Sequence, residues 1–139
     1  MINDPEFKKY LTLEIKSLLL CDSQYIVKYN GAFFEQGDVN IVLELMEMGS
    51  LETILRKVKI FSESIIGYIA YQVLMGLNYM HRQLKIIHRD IKPANILFSS
   101  EGKAKIADLG ICGKLEHTKD VTDSWVGTLV YMSVKIYSQ

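Results

Sequence analysis

Cysteine is scarce in this chain, with Cys21 and Cys112 the only two among 139 residues. One bridge is the most they could form, which excludes the disulfide framework of a small secreted domain. Proline is equally rare, at Pro5 and Pro93. No proline-rich linker, repeat or low-complexity tract divides the chain, so it reads as one continuous piece. Net charge is absent too: 16 basic side chains balance 16 acidic ones, which leaves no electrostatic case for nucleic acid or an anionic membrane as partner. No apolar run reaches the roughly 18 residues of a membrane-spanning helix. The start, Met1-Ile2-Asn3-Asp4-Pro5, lacks the basic and apolar regions of a signal peptide. A reducing, cytoplasmic setting is the expectation. Apolar substance is plentiful: at 49% hydrophobic residues the chain can fill a core.

Chemistry concentrates in His88-Arg89-Asp90-Ile91-Lys92-Pro93-Ala94-Asn95, ahead of the short apolar run Ile96-Leu97-Phe98. Asp90 offers a proton acceptor, Lys92 a cation for phosphate and Asn95 an amide oxygen for a metal ion, all within one loop. Thirteen residues beyond Asn95, Asp108-Leu109-Gly110 places a second carboxylate on a turn after another apolar run.

The flanking patterns place these residues on elements. Asp4-Pro5-Glu6 is a helix start, and Phe7, Leu11, Ile15, Leu18 and Leu19 follow at helical spacing. Glu14, beside that face, reads on its own as a solvated helix acid. Residues 25–34 and 39–45 are strand-like runs joined by Glu35-Gln36-Gly37-Asp38, a hairpin turn in which glycine supplies the unusual φ. Ser50 can cap a short helix over 51–56. Ser62 opens a longer one whose stripe of Ile66, Ile69, Ala70, Val73, Leu77 and Met80 predicts a core-facing side that supports the loop after it. Residues 96–98 and 103–107 form a second hairpin that delivers Asp108.

The two polar motifs closely resemble the catalytic loop and metal-binding motif of protein kinases, H-R-D-x-x-x-x-N followed by D-F-G. Further stretches resemble one subgroup, the mitogen-activated protein kinase kinases. They are Tyr29-Asn30-Gly31-Ala32-Phe33-Phe34, Met48-Gly49-Ser50-Leu51, Ile111-Cys112-Gly113-Lys114-Leu115, Val126-Gly127-Thr128 and Tyr131-Met132-Ser133. The fold so implied is α+β and kinase-like, with residues 1–45 the remainder of the smaller lobe and 46–139 the start of the helical one.

The resemblance implies an ATP- and Mg²⁺-dependent transfer of the γ-phosphate to Ser/Thr and Tyr hydroxyls of a downstream MAP kinase, under control of an upstream kinase. In that scheme Asp90 accepts or orients the hydroxyl proton, Lys92 stabilises the γ-phosphate, and Asn95 and Asp108 hold magnesium. Glu14 pairs with a lysine that holds the α- and β-phosphates. Leu43 backs the adenine pocket, Glu44 to Met46 offer backbone groups to adenine, and Leu97 is its floor, although core packing explains Leu97 equally. His88 packs on the turn bearing Asp108, and Arg89 meets an activation-loop phosphate. Thr118 and Ser124 match the spacing of the activation sites of plant-type members, while a plain polar loop accounts for Thr118, Thr122 and Ser124 as well.

Leu109 replaces the usual phenylalanine, Cys112 a common serine, and 132–137 departs from M-S-P-E-R-I. No glycine-rich loop and no lysine partner for Glu14 lie within these residues. The expectation is therefore a truncated kinase domain, inactive as residues 1–139 alone. The alternative is a kinase-like binding or regulatory module without phosphotransfer.

Overall fold

The computed structural model describes residues 19, 21–36, 38–109, 113–114, 128 and 131. Glu14, Thr118 and Ser124, with nearly all of the first helix and of the loop over 111–131, lie outside the described residues.

Strands β1 (Tyr29–Glu35) and β2 (Asp38–Leu43) form the expected antiparallel hairpin, in register from Gly31 opposite Val42 to Glu35 opposite Asp38, with a one-residue shift between Gly31 and Tyr29, which lies opposite Leu43. At the turn Gln36 takes a left-handed φ of 51°, and Gly37, expected to supply the unusual φ, lies outside the described residues. The strand begins four residues later than the apolar pattern predicts, because residues 25–27 pair elsewhere. The Val27 N–H donates to the Ile106 carbonyl, and the Ile106 N–H to the Tyr25 carbonyl, each at 2.9 Å. Burial drives that choice: Ile26 and Val27 are 1% and 3% exposed there.

Strand β3 (Gly49–Ser50) leads into helix α1 (Leu51–Val58). Ser50 caps it as expected, its hydroxyl accepting the Thr53 N–H at 3.1 Å. Helix α2 (Glu63–Tyr79) runs on into a wider π-type turn at Met80–Leu84. Its inner face corrects the predicted stripe. Ile69, Gln72, Gly76 and Met80 are buried, whereas Ile66 and Ala70 face outward. Gly76 allows the closest approach: a Cβ there would lie 2.8 Å from Ile106 Cδ1 and 3.1 Å from the Tyr25 carbonyl oxygen. Gln72 reaches across with its side-chain oxygen, accepting the Ala104 N–H at 3.0 Å.

Strands β4 (Ile86–Ile87) and β7 (Gly113–Lys114) pair antiparallel. Strands β5 (Ile96–Phe98) and β6 (Ala104–Ile106) form the second expected hairpin, and β3 adds to the outer side of β5. Alternation along the hairpin is strict. Ile96, Phe98 and Ala104 are buried with Ile69 of α2. The opposite face carries Leu97 directly across from Lys105.

A second cluster of Ile26, Met80, Ile86, Ile106 and Leu109 holds the centre, with Cys21 packed against it. Burial pushes the Cys21 thiol up to about 11, so it stays protonated and unreactive near neutral pH. Leu109, at 4% exposed, fills the apolar position that the resemblance gives to phenylalanine.

Candidate active site

The loop from His88 to Asn95 is fixed at both ends, by β4 before it and β5 after it. Pro93 starts a 3-10 turn, Pro93–Asn95, where its missing N–H costs nothing. The Asn95 N–H closes that turn on the Lys92 carbonyl at 2.9 Å. Arg89, with a φ of 69°, turns the chain sharply ahead of Asp90. Left-handed backbone at a non-glycine residue costs of order 1 kcal/mol or more and persists only where its surroundings enforce it.

Asp90 sits at the centre, 6% exposed. Both carboxylate oxygens are in use. Oδ2 accepts from Lys92 Nζ at 2.6 Å and from Asn95 Nδ2 at 3.1 Å. Oδ1 accepts the Thr128 hydroxyl at 2.6 Å and the Thr128 N–H at 3.0 Å. Lys92 Nζ also donates to the Thr128 hydroxyl oxygen at 2.7 Å, so that hydroxyl lies between carboxylate and ammonium. Burial alone would raise the Asp90 carboxyl. The bonds from Lys92 and Thr128, with the lysine charge, outweigh it and hold the carboxyl below its ordinary range. Asn95 Nδ2 also donates to the Asp90 carbonyl at 3.0 Å, which leaves Oδ1 as the amide's remaining acceptor.

His88, 1% exposed, joins this loop to the turn carrying Asp108. Its Nδ1 accepts the Asp90 N–H at 3.2 Å, so the ring proton sits on Nε2, which donates to the Ala107 carbonyl at 3.0 Å. Burial pushes the imidazole down, against the pull of its bond to Ala107 and of the carboxylates of Asp108 and Asp90. The Ala107 N–H in turn donates to the Asn95 carbonyl at 2.9 Å. Asp108 emerges from this anchor with a left-handed φ of 62° and an exposed side chain, while Leu109 beyond it is buried.

The remaining expected residues occupy the segment between β2 and β3. Leu43 ends β2, 41% exposed. Glu44 forms an ion pair with Lys105 of β6, Nζ to carboxylate oxygens at 2.6 and 2.8 Å. Burial opposes ionisation of Glu44, but Lys105 and the Lys28 N–H hold its carboxyl below the usual range. Leu45 points outward, 76% exposed, and Met46 is buried with Val27 and Ala107, against which Leu97 packs. A cavity of about 180 Å³ opens beside Asp90, lined by Arg89, Asp90, Ile91, Thr128 and Tyr131. Arg89 Nη2 is buried without a hydrogen-bond partner among the described residues.

The structure therefore joins Asp90, Lys92 and Asn95 in one network and links Asp108 to it through His88. Sequence reasoning missed two participants. Thr128 lies 38 residues from Asp90; its Gly-Thr context marked a family motif without revealing where the hydroxyl goes. Lys105 stands between two buried positions of a strand, a pattern that ordinarily means a solvated lysine.

Known proteins resemble the chain over nearly all of its length. It is 49% identical over 126 residues to dual specificity mitogen-activated protein kinase kinase 1 of Dictyostelium discoideum, which covers 91% of this chain and 19% of that protein. It is 43% identical over 129 residues to the dual specificity mitogen-activated protein kinase kinase dSOR1 of Drosophila melanogaster, 93% of this chain and 32% of that protein. The chain thus spans a third or less of the length of these relatives. The sequence model of the protein kinase domain matches residues 2–138. With so little of it outside the match, the chain belongs to the protein kinase family.

Proposed function

We propose that the protein carrying this chain transfers the γ-phosphate of ATP to Ser/Thr and Tyr hydroxyls of a MAP kinase, and that an upstream kinase activates it. The observation that carries this reading is the Thr128 hydroxyl at 2.6 Å from Asp90 Oδ1 and 2.7 Å from Lys92 Nζ. Thr128 fixes the carboxylate and the ammonium side by side, and the cavity next to Asp90 leaves room for a substrate hydroxyl to approach the same carboxylate. Asp90 orients such a hydroxyl and takes its proton, and Lys92 brings positive charge to the transferring phosphoryl group.

The donor set fits magnesium. Asn95 Oδ1 and the Asp108 carboxylate are hard oxygen ligands, the kind Mg²⁺ takes when phosphates and water complete its shell. Magnesium, when bound, neutralises charge building on the phosphates. Asn95 is held for that task by its two bonds to Asp90, and Asp108 by the anchor at Ala107. The segment 44–46 offers its backbone to adenine, with Leu43 behind and Leu97 below. Glu14 as partner of a phosphate-binding lysine, and Thr118 and Ser124 as activating phosphorylation sites, complete the reading. A loop phosphate can pair with Arg89 and thereby order the segment around Thr128.

The test is transfer itself: the full-length protein, activated by an upstream kinase, is incubated with a MAP kinase and ATP labelled in the γ-phosphate. Labelled phosphothreonine and phosphotyrosine that depend on Mg²⁺ are expected. Mg²⁺-dependent ATP binding without transfer would instead identify a regulatory module.

A further inference from the structure

Glu44 is bound more firmly than a residue offering only its backbone requires. Its N–H donates to the Lys28 carbonyl at 2.8 Å, and its carboxylate accepts the Lys28 N–H at 3.1 Å. The same carboxylate grips Lys105 Nζ with both oxygens, at 2.6 and 2.8 Å. Lys105 is no solvated strand lysine, for its side chain is 12% exposed. Ordering a lysine that far costs rotamer entropy, so the site must return it in charge-assisted bonds.

The next residue, Ile106, exchanges backbone bonds with Tyr25 and Val27, each at 2.9 Å. Three segments (25–28, 44–46 and β6) therefore close into one clamp with Glu44–Lys105 at its centre. The other end of the segment is strapped to the same hairpin. The Ser100 N–H donates to Glu47 at 3.0 Å, and the Met48 N–H to the Phe98 carbonyl at 3.1 Å. Leu45 contributes no anchor. Without the ion pair, Met46 is the one buried side chain left to fix the backbone of residues 44–46.

We propose that Lys105 is a positioning residue for nucleotide binding, its ion pair with Glu44 fixing the adenine-facing backbone of 44–46 to the strand that leads into the turn bearing Asp108. Lys105 does not touch the nucleotide; it acts through Glu44. This rests on the reading of 44–46 as the adenine-binding segment. The clamp ties that segment and the metal-binding carboxylate to one rigid strand, so adenine and phosphate are held at a fixed separation.

The experiment compares Lys105→Met, Lys105→Arg and Glu44→Gln with the parent full-length protein, reading Mg²⁺–ATP affinity by calorimetry alongside KM and kcat. Lys105→Met and Glu44→Gln are expected to weaken ATP binding and raise its KM about tenfold, with kcat within about twofold. Lys105→Arg, which keeps a two-pronged bond to the carboxylate, is expected to recover most of the affinity. If all three bind ATP like the parent, or kcat rises when the pair is removed, Lys105 has no positioning role. A Lys105→Met protein that does not fold, together with a normal KM for Glu44→Gln, would make the pair a stability element and overturn the proposal. A parent that binds no Mg²⁺–ATP would overturn the kinase reading, and the positioning role with it; a binding parent with unaffected variants overturns the positioning role alone.

Discussion

At Asp90 two large effects oppose each other. Burial of a carboxylate favours protonation, yet an ammonium at 2.6 Å and a hydroxyl at 2.6 Å keep it charged. Thr128 supplies two of the bonds that decide the balance, and only one of them needs its side chain. Thr128→Ser keeps the hydroxyl and is expected to retain most phosphotransfer activity. Thr128→Ala removes a charge-assisted bond of about 1.5–3 kcal/mol and is expected to lower kcat about 10- to 100-fold; steady-state kinetics distinguishes the two. His88 predicts a pH effect. Its folded value lies below the ordinary 6.5, so the unfolded chain takes up the proton first. The stability it contributes is complete above about pH 6.5 and is lost as pH falls through the folded value. Thermal melting between pH 7 and 5 should show a steeper decline for the parent than for His88→Gln, whose amide does not titrate. Parallel declines would mean that the imidazole is not the group responsible.

Elements were legible in the sequence where one signal dominated. Ser50 announced α1, and the apolar run of 96–98 followed by the strand-like 103–107 announced the hairpin behind the site. Helix α2 was legible as a helix but not in its orientation. Ile65, Ile66, Leu74, Tyr68 and Tyr71 make its outer surface apolar as well, at 46–63% exposed, and periodicity cannot choose between two apolar faces. Gly76 makes the choice, by letting the helix approach Ile106. That predicts the outcome of Gly76→Ala. Alanine gains about 1 kcal/mol in helix propensity. The new methyl meets Ile106, 0% exposed, and the Tyr25 carbonyl, which the Ile106 N–H holds in place. Overpacking of about 1–3 kcal/mol wins, and denaturant unfolding should show a net loss. On the exposed side, Ser50→Ala should cost about 1 kcal/mol through the lost bond to the Thr53 N–H.

Over the whole molecule, the Asp90 loop was readable because its chemistry is contiguous: carboxylate, ammonium and amide fall within six residues. The contributions of Thr128 and Lys105 were not, since each depends on a contact made across dozens of residues by the fold alone. The late start of β1 has the same origin: Ile26 and Val27 suit a strand wherever one is available, and the buried edge of Ile106 outcompetes the neighbouring hairpin. Balanced charge, noted first as an absence, leaves the proposed binding of ATP and magnesium to a few placed groups rather than to a general field. The central claim is that Asp90 acts on the transferring hydroxyl and leaves nucleotide binding to other residues. Its most direct test is Asp90→Asn in the full-length protein, with kcat for MAP kinase phosphorylation and Mg²⁺–ATP affinity measured on the same preparation. A fall in kcat of about 10²- to 10⁴-fold with ATP affinity within about twofold is the predicted result; activity within a few fold of the parent, or a matching loss of ATP affinity, would contradict it.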